Sequence, residues 1–219
     1  MIAAVVFDLD GVIVQTEEIW DDVREAYAGE HGARYDADAQ RAMMGMSSLE
    51  WSAYMNEELG MPVEPEEISA EVVRRMEARY RERLPLVDGA ADAVRRVAAS
   101  WPLGLASSSN RALIDAVLEL SGLADSFRAT VSSEEVARGK PAPDVYLECA
   151  RRLGVAPGAC AAIEDSHAGI RSAKAAGMRV VAIPNPTYPP EPAALGEADV
   201  VLSSLAELTP AAIDPAASS

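Results

Sequence analysis

The sequence predicts an α/β fold, a doubly wound, Rossmann-like parallel sheet interrupted by one all-helical segment. Three observations predict it. Residues 4 to 14 (AVVFDLDGVIV) form an apolar, β-branched run of buried-strand character. Residues 16 to 84 then carry helical spacing and no strand signal. From residue 88 onward, amphipathic helix patterns alternate with short apolar runs, the pattern of parallel strands covered on both faces.

After the opening strand, EEIWDDVREAYAGE (17–30) places Ile19, Val23, Ala26 and Tyr27 at helical spacing, with acids in the first turn where the helix dipole favours them. SSLEWSAYMNEEL starts on a candidate N-cap, Ser47, and sets Leu49, Ala53 and Tyr54 on one face. Pro65 suits the first turn of a helix whose stripe is Ile68, Val72, Met76 and Tyr80. Pro85 and Asp88-Gly89 close this block. Helix-like DGAADAVRRVAAS, ALIDAVLELSG, PDVYLECARRLG and AGIRSAKAAG then alternate with strand-like PLGLAS, ATVSS, CAAIED, MRVVAIP and ADVVL. The last residues, TPAAIDPAASS (209–219), read as a frayed or disordered tail. The expected organisation is a core of residues 1–15 and 86–219 and a helical cap of residues 16–85. Such a cap leaves the sheet at the carboxyl end of its first strand, where open α/β sheets bind ligands.

The 219-residue chain carries a net charge of −16 and no basic cluster, which argues against a nucleic-acid partner. No apolar run approaches the roughly 20 residues of a membrane span. The first residues lack a basic segment and aspartates break their apolar run, so a secretory leader is not expected. Cys149 and Cys160 have no motif spacing and read as two reduced thiols of a cytoplasmic protein. Oligomeric state leaves no readable sign.

Four short stretches carry chemistry. In a strand, Asp8 and Asp10 face one volume, and like charges that close call for a cation. Mg²⁺ suits such oxygen ligands, and Gly11 lets the backbone approach it. On its own the pair could equally cap a turn. LASSSN (105–110) ends a strand in hydroxyls before a helix, an anion site with Ser107 and Ser108 as phosphate ligands and Ser109 or Asn110 as helix cap. Lys140, one of two lysines beside 17 arginines, precedes Pro-Ala-Pro and suits a phosphoryl oxygen as a point charge; a solvated loop lysine is the plain alternative. AAIEDSHAGIRSA ends a strand in Glu164 and Asp165, which could complete a metal shell, while Asp165 or Ser166 could merely cap the helix; His167 reads as a surface residue.

Taken in order, DLDGV, Ser107, GKP with Lys140, and IEDS resemble the four motifs of the haloacid dehalogenase superfamily of phosphohydrolases, over nearly the whole chain. The resemblance implies a helical cap inserted after the first motif. It implies Asp8 as nucleophile and Asp10 as general acid and base. It further implies Mg²⁺ held by Asp8, the Asp10 carbonyl and Asp165, with Glu164 at or near the ion, and Ser107, Ser108 and Lys140 on the phosphoryl group. The absence of lysine from residues 16–85 disfavours the phosphonate-hydrolase branch, and Asp10 disfavours the dehalogenases. β-Phosphoglucomutase, the nearer rival, has a histidine and an arginine where this chain has Trp20 and Ser48. QTEEIW is similar to the DSEPLW of small-sugar phosphatases, with Gln15 and Glu18 as departures, and places Glu17 and Trp20 against the leaving group. Met43, Met44, Met46, Trp51 and Tyr54 read as cap packing that also lines the pocket. Residues 16–85 hold 17 acids against 8 basic residues, which favours a neutral leaving group. The expected activity is hydrolysis of a small phosphorylated sugar or polyol, with a catalytically idle binding module as the alternative of another class.

Overall fold

The computed structural model describes residues 1–43, 46–187 and 189–218. Its core is a six-stranded, all-parallel sheet of order β3-β2-β1-β4-β5-β6. The strands are β1 (Ala4–Phe7), β2 (Leu103–Ser107), β3 (Phe127–Ser132), β4 (Cys160–Glu164), β5 (Arg179–Ala182) and β6 (Val200–Val201). Every residue of β1, β2 and β4 is buried, because helices cover both faces. Val5, Phe7, Leu103, Leu105, Ala161, Ile163 and Val181 face one apolar cluster; Ala4, Val6, Ala106, Ala162, Val180 and Ala182 face the other. Strand order reverses beside β1, so the carboxyl ends of β1, β2 and β4 meet at the switch point of the sheet.

Among the described residues, four helices follow β1 before the chain returns at Leu86: α1 (Glu17–Glu30), α2 (Ala37–Met43), α3 (Ser48–Glu57) and α4 (Pro65–Glu82). The stripe Ile68, Val72, Met76 and Tyr80 of α4 is buried as its spacing predicts. Glu50 accepts the Ser47 N–H at 2.7 Å, closing the start of α3. The chain enters and leaves this block side by side. Val14 bridges Leu86 antiparallel, Gln15 N–H donates to the Pro85 carbonyl at 2.8 Å, and Val87 N–H donates to that of Ile13 at 3.0 Å. Among the described residues the remaining α-helices are α5 (Ala90–Ala98), α6 (Arg111–Ser121), α7 (Asp144–Leu153), α8 (His167–Ala175), α9 (Pro192–Leu195) and α10 (Pro210–Ile213). No helix among the described residues is long and apolar enough to cross a membrane.

Two expectations are corrected. The opening strand ends at Phe7, not Val14; residues 8 to 14 form a turn closed by Gly11 N–H on the Val14 carbonyl at 2.7 Å, and Val12, Ile13 and Val14 are buried in that turn. Nor is the carboxyl tail frayed where described. Pro210–Ile213 is helical, Ile213 is buried, and Asp214 accepts the Ile2 N–H at 2.7 Å. Alanine and proline concealed that docking, since one isoleucine does the packing.

Candidate active site

Each strand end delivers one part of the site. Asp8 follows β1, its N–H still paired to Ile163 at 3.0 Å. Gly11, at φ 81°, turns the chain back, and a Cβ there would stand 1.9 Å from Asp165 Oδ2. Glycine is required twice over, for the left-handed backbone and for the approach of Asp165. Asp10 lies in this turn, its carboxylate accepting Thr16 Oγ1 at 2.6 Å, Ser109 Oγ at 2.7 Å and Ser107 Oγ at 3.3 Å. Three hydroxyls therefore fix its direction.

At the end of β2, Ser107 is fully buried; its oxygen accepts the Ser109 N–H at 2.9 Å and turns to Asp10. Ser108, Ser109 and Asn110 line the cavity instead. Asn110 occupies the N-cap position of α6, but Glu134 accepts the Arg111 N–H at 2.8 Å and performs the capping. Asn110 is thereby free to accept Ser48 Oγ at 2.6 Å, joining α3 to the core.

Lys140 is buried before α7, with its Nζ 2.7 Å from Asp8 Oδ1 and 2.6 Å from Glu164 Oε1. Tyr146 donates to the same Glu164 oxygen at 2.7 Å, and Glu164 Oε2 accepts Asp165 N–H, Ser166 N–H and Ser166 Oγ. Both oxygens of Glu164 are thus engaged. Ser166 accepts the Gly169 N–H at 3.1 Å and caps α8; His167 is half-exposed, its Nδ1 3.7 Å from Glu191.

Burial dominates the electrostatics. It raises Asp8 to about 8, opposed by Lys140 and reinforced by Glu164 and Asp10. Burial also raises Asp165, with Glu164 and Asp8 adding to it. Burial opposes the charge of Lys140, yet Asp8 and Glu164 outweigh it and hold its pKa above the ordinary lysine range. The ammonium is therefore charged, and it would not balance the three clustered acids were all of them ionised, so without a further cation protons make up the difference on Asp8 and Asp165.

That imbalance tests whether a cation fits. Carboxylate oxygens of Asp8, Glu164 and Asp165 lie within 4.8 Å of one another. Asp165 Oδ1 is buried without a hydrogen-bond partner, and its carboxylate sits where a Cβ on Gly11 would otherwise stand. Hard oxygen donors, one of them unpaired, fit a divalent cation such as Mg²⁺.

Asp8, Asp10, Lys140 and Asp165 border one cavity of about 150 Å³. Glu17, Trp20, Met43, Met46, Ser48 and Trp51 close it from the helical insertion. Gln15 and Asn185 hold Glu17 at 2.9 and 3.0 Å, and burial with the nearby Asp10 raises its pKa. Tyr54 packs into the apolar cluster instead, and Met44 lies outside the described residues. Sequence reasoning missed Asp21, Arg24 and Gln40, which also line the cavity. Asp21 and Arg24 were signalled only by helical spacing from Glu17 and Trp20, and Gln40, on α2, carried no such signal.

Comparison with known proteins places this geometry. The model of haloacid dehalogenase-like hydrolases matches residues 2–177. Hexitol phosphatase B of Escherichia coli is 36% identical over 214 residues, covering 95% of each chain. A bifunctional riboflavin kinase/FMN phosphatase of Arabidopsis thaliana is 31% identical over 208 residues, which is 94% of this chain but 54% of that protein, so the chain spans about half its length. Among solved structures, CbbY of Rhodobacter sphaeroides in complex with phosphate superposes with a TM-score of 0.86 at 26% identity, covering 98% of this chain and 100% of that one. A β-phosphoglucomutase of Clostridium difficile superposes with 0.84 at 26% identity, covering 98% and 96%. The chain is an enzyme of the haloacid dehalogenase-like hydrolase family.

Proposed function

We propose that the protein is a Mg²⁺-dependent phosphatase of small phosphorylated sugars or polyols, working through an aspartyl-phosphate on Asp8, with residues 16–85 as its cap. One observation carries this reading: Lys140 reaches Asp8 at 2.7 Å and Glu164 at 2.6 Å beside the unpaired Asp165 Oδ1, so charge converges where a PO₃ group would sit. The hexitol phosphatase relative supports the sugar or polyol class.

Asp8 attacks phosphorus, forming the Asp8–phosphorus bond as the ester oxygen departs with its electron pair. Asp10, aimed by Thr16 and Ser109, gives that oxygen a proton. It then takes a proton from the water that cleaves the acyl phosphate, releasing inorganic phosphate and free Asp8. Lys140 and the N–H groups after β2 hold the phosphoryl oxygens. Asp8, the Asp10 carbonyl and Asp165 would hold Mg²⁺, which when bound offsets charge on the phosphoryl group. Glu164, with both oxygens engaged, acts by orienting Lys140.

Turnover of p-nitrophenyl phosphate with Mg²⁺, its loss in EDTA and its loss in folded Asp8→Asn protein test the reading. No turnover on any phosphate ester would favour a binding module. Glucose 1-phosphate separates the rivals, since a phosphatase releases phosphate and a mutase yields glucose 6-phosphate. Ser48, one of the positions at which the mutase carries its own side chains, is committed to Asn110 here.

A further inference from the structure

Arg24 has no part in the phosphoryl chemistry above. It is 7% exposed on α1 and borders the cavity. Its guanidinium lies 4.7 Å from the centre of the Trp20 ring and 4.9 Å from that of Trp51, in the wedge between two indoles tilted at 60°. Stacking recovers part of the hydration it loses. Its Nε is nevertheless buried with no hydrogen-bond partner. Arg24 borders the cavity, and a buried, charged guanidinium with an unpaired N–H carries a cost that a ligand oxygen accepting from its fork would reduce.

The chemistry of that oxygen follows from the neighbours. Lys140 and Asp8 mark the phosphoryl end, whereas Arg24 belongs to the insertion, on the leaving-group side. Asp21 and Tyr35 favour the charge of Arg24 against its burial. The Asp21 carboxylate accepts Tyr35 OH at 2.9 Å and Gln40 Nε2, so it is held beside the guanidinium and offsets it. Glu17 stands on the same wall. A second phosphate or carboxylate here would meet Asp21 and Glu17. A hydroxyl can accept from Arg24 and donate to an acid, which suits both signs of charge.

We propose that Arg24 is a specificity-determining residue that binds a hydroxyl oxygen of the leaving group, selecting neutral polyhydroxylated phosphate monoesters over those with a second anion. This rests on the phosphatase reading. It also revises the role of Trp20, whose ring serves Arg24 as well as the ligand.

Steady-state kinetics of the full chain with saturating Mg²⁺ test it, using a hexitol 6-phosphate, fructose 1,6-bisphosphate and p-nitrophenyl phosphate, which has no leaving-group hydroxyl. The wild type is expected to prefer the hexitol phosphate to the bisphosphate. In Arg24→Met, kcat/KM for the hexitol phosphate relative to p-nitrophenyl phosphate is expected to fall about 10- to 100-fold, mainly through KM. Arg24→Lys should recover only part of it, having lost the planar fork. Equal losses on both substrates would make the role structural and overturn the inference. So would a wild-type preference for the bisphosphate that Arg24→Met removes. Should Arg24→Met fail to fold, Arg24→Gln and Arg24→Lys are read by the same ratio. A wild type inactive on every ester defeats the phosphatase reading first, a result distinct from an unchanged ratio in an active enzyme.

Discussion

Two glycines govern the acids they touch. At Gly11 an added Cβ would meet Asp165 at 1.9 Å, on a backbone with φ 81°. Gly11→Ala should cost about 1–2 kcal/mol in backbone strain alone and raise the Mg²⁺ concentration for half-maximal turnover about tenfold or more. At Gly169 an added Cβ would stand 1.8 Å from Glu164 Oε1, the oxygen that holds Lys140 and Tyr146. Gly169→Ala should therefore destabilise by on the order of 3 kcal/mol, as breaking a buried ion pair does, visible in denaturant melts. Asp8 supplies a pH test. Burial raises it from 3.8 to about 8, so the folded, metal-free protein binds a proton there that the unfolded chain has lost. That contribution to stability is fully present below about pH 4 and is lost as pH rises through about 8. Melting temperature without metal should fall from pH 5 to 8 on this account, and added Mg²⁺ should restore more of it at the alkaline end. A flat profile in EDTA would contradict the assignment.

Elements were legible where periodicity was long or the strand fully buried. Glu17–Glu30 and the stripe of Pro65–Glu82 follow from apolar spacing and a first-turn proline. Helix α2, of 7 residues, was not read, because two turns give periodicity too little length. The first strand was read too long because Val12, Ile13 and Val14 are as apolar as Val5 and Val6, while Gly11 alone marks where the chain turns. In the site, the strand-end residues were legible as types, but hydrogen-bond direction was not. Ser107 turns to Asp10, and Glu134, remote in sequence, caps α6 in place of Asn110. That substitution leaves Asn110 for Ser48, a bond of 2.6 Å that joins insertion to core as Asn185 does with Glu17. Ser48→Ala should loosen closure, raising KM several-fold for sugar phosphates while melting temperature falls by about 2–4 °C, since one hydrogen bond is worth about 1 kcal/mol.

Across the whole molecule, charge and site oppose each other. A net charge of −16 repels a phosphate ester until it reaches Lys140. At saturating Mg²⁺, kcat/KM should rise as added NaCl shortens the Debye length from about 30 Å to about 8 Å; stopped-time assays across that range would show it, and a falling curve would point to attraction. The parallel sheet was readable from alternation alone, yet the grouping of Arg24 with Trp20 and Trp51 was not, because it depends on how α1 and α3 meet. The bridge between Val14 and Leu86 also bears on the insertion. Because the helical block departs and returns through adjacent residues, it can be exchanged like a cassette without re-threading the sheet. A chimaera carrying a relative's block at those two splice points should inherit that relative's substrate preference and keep this chain's hydrolytic machinery, provided the seam between α4 and α6 is transplanted with it.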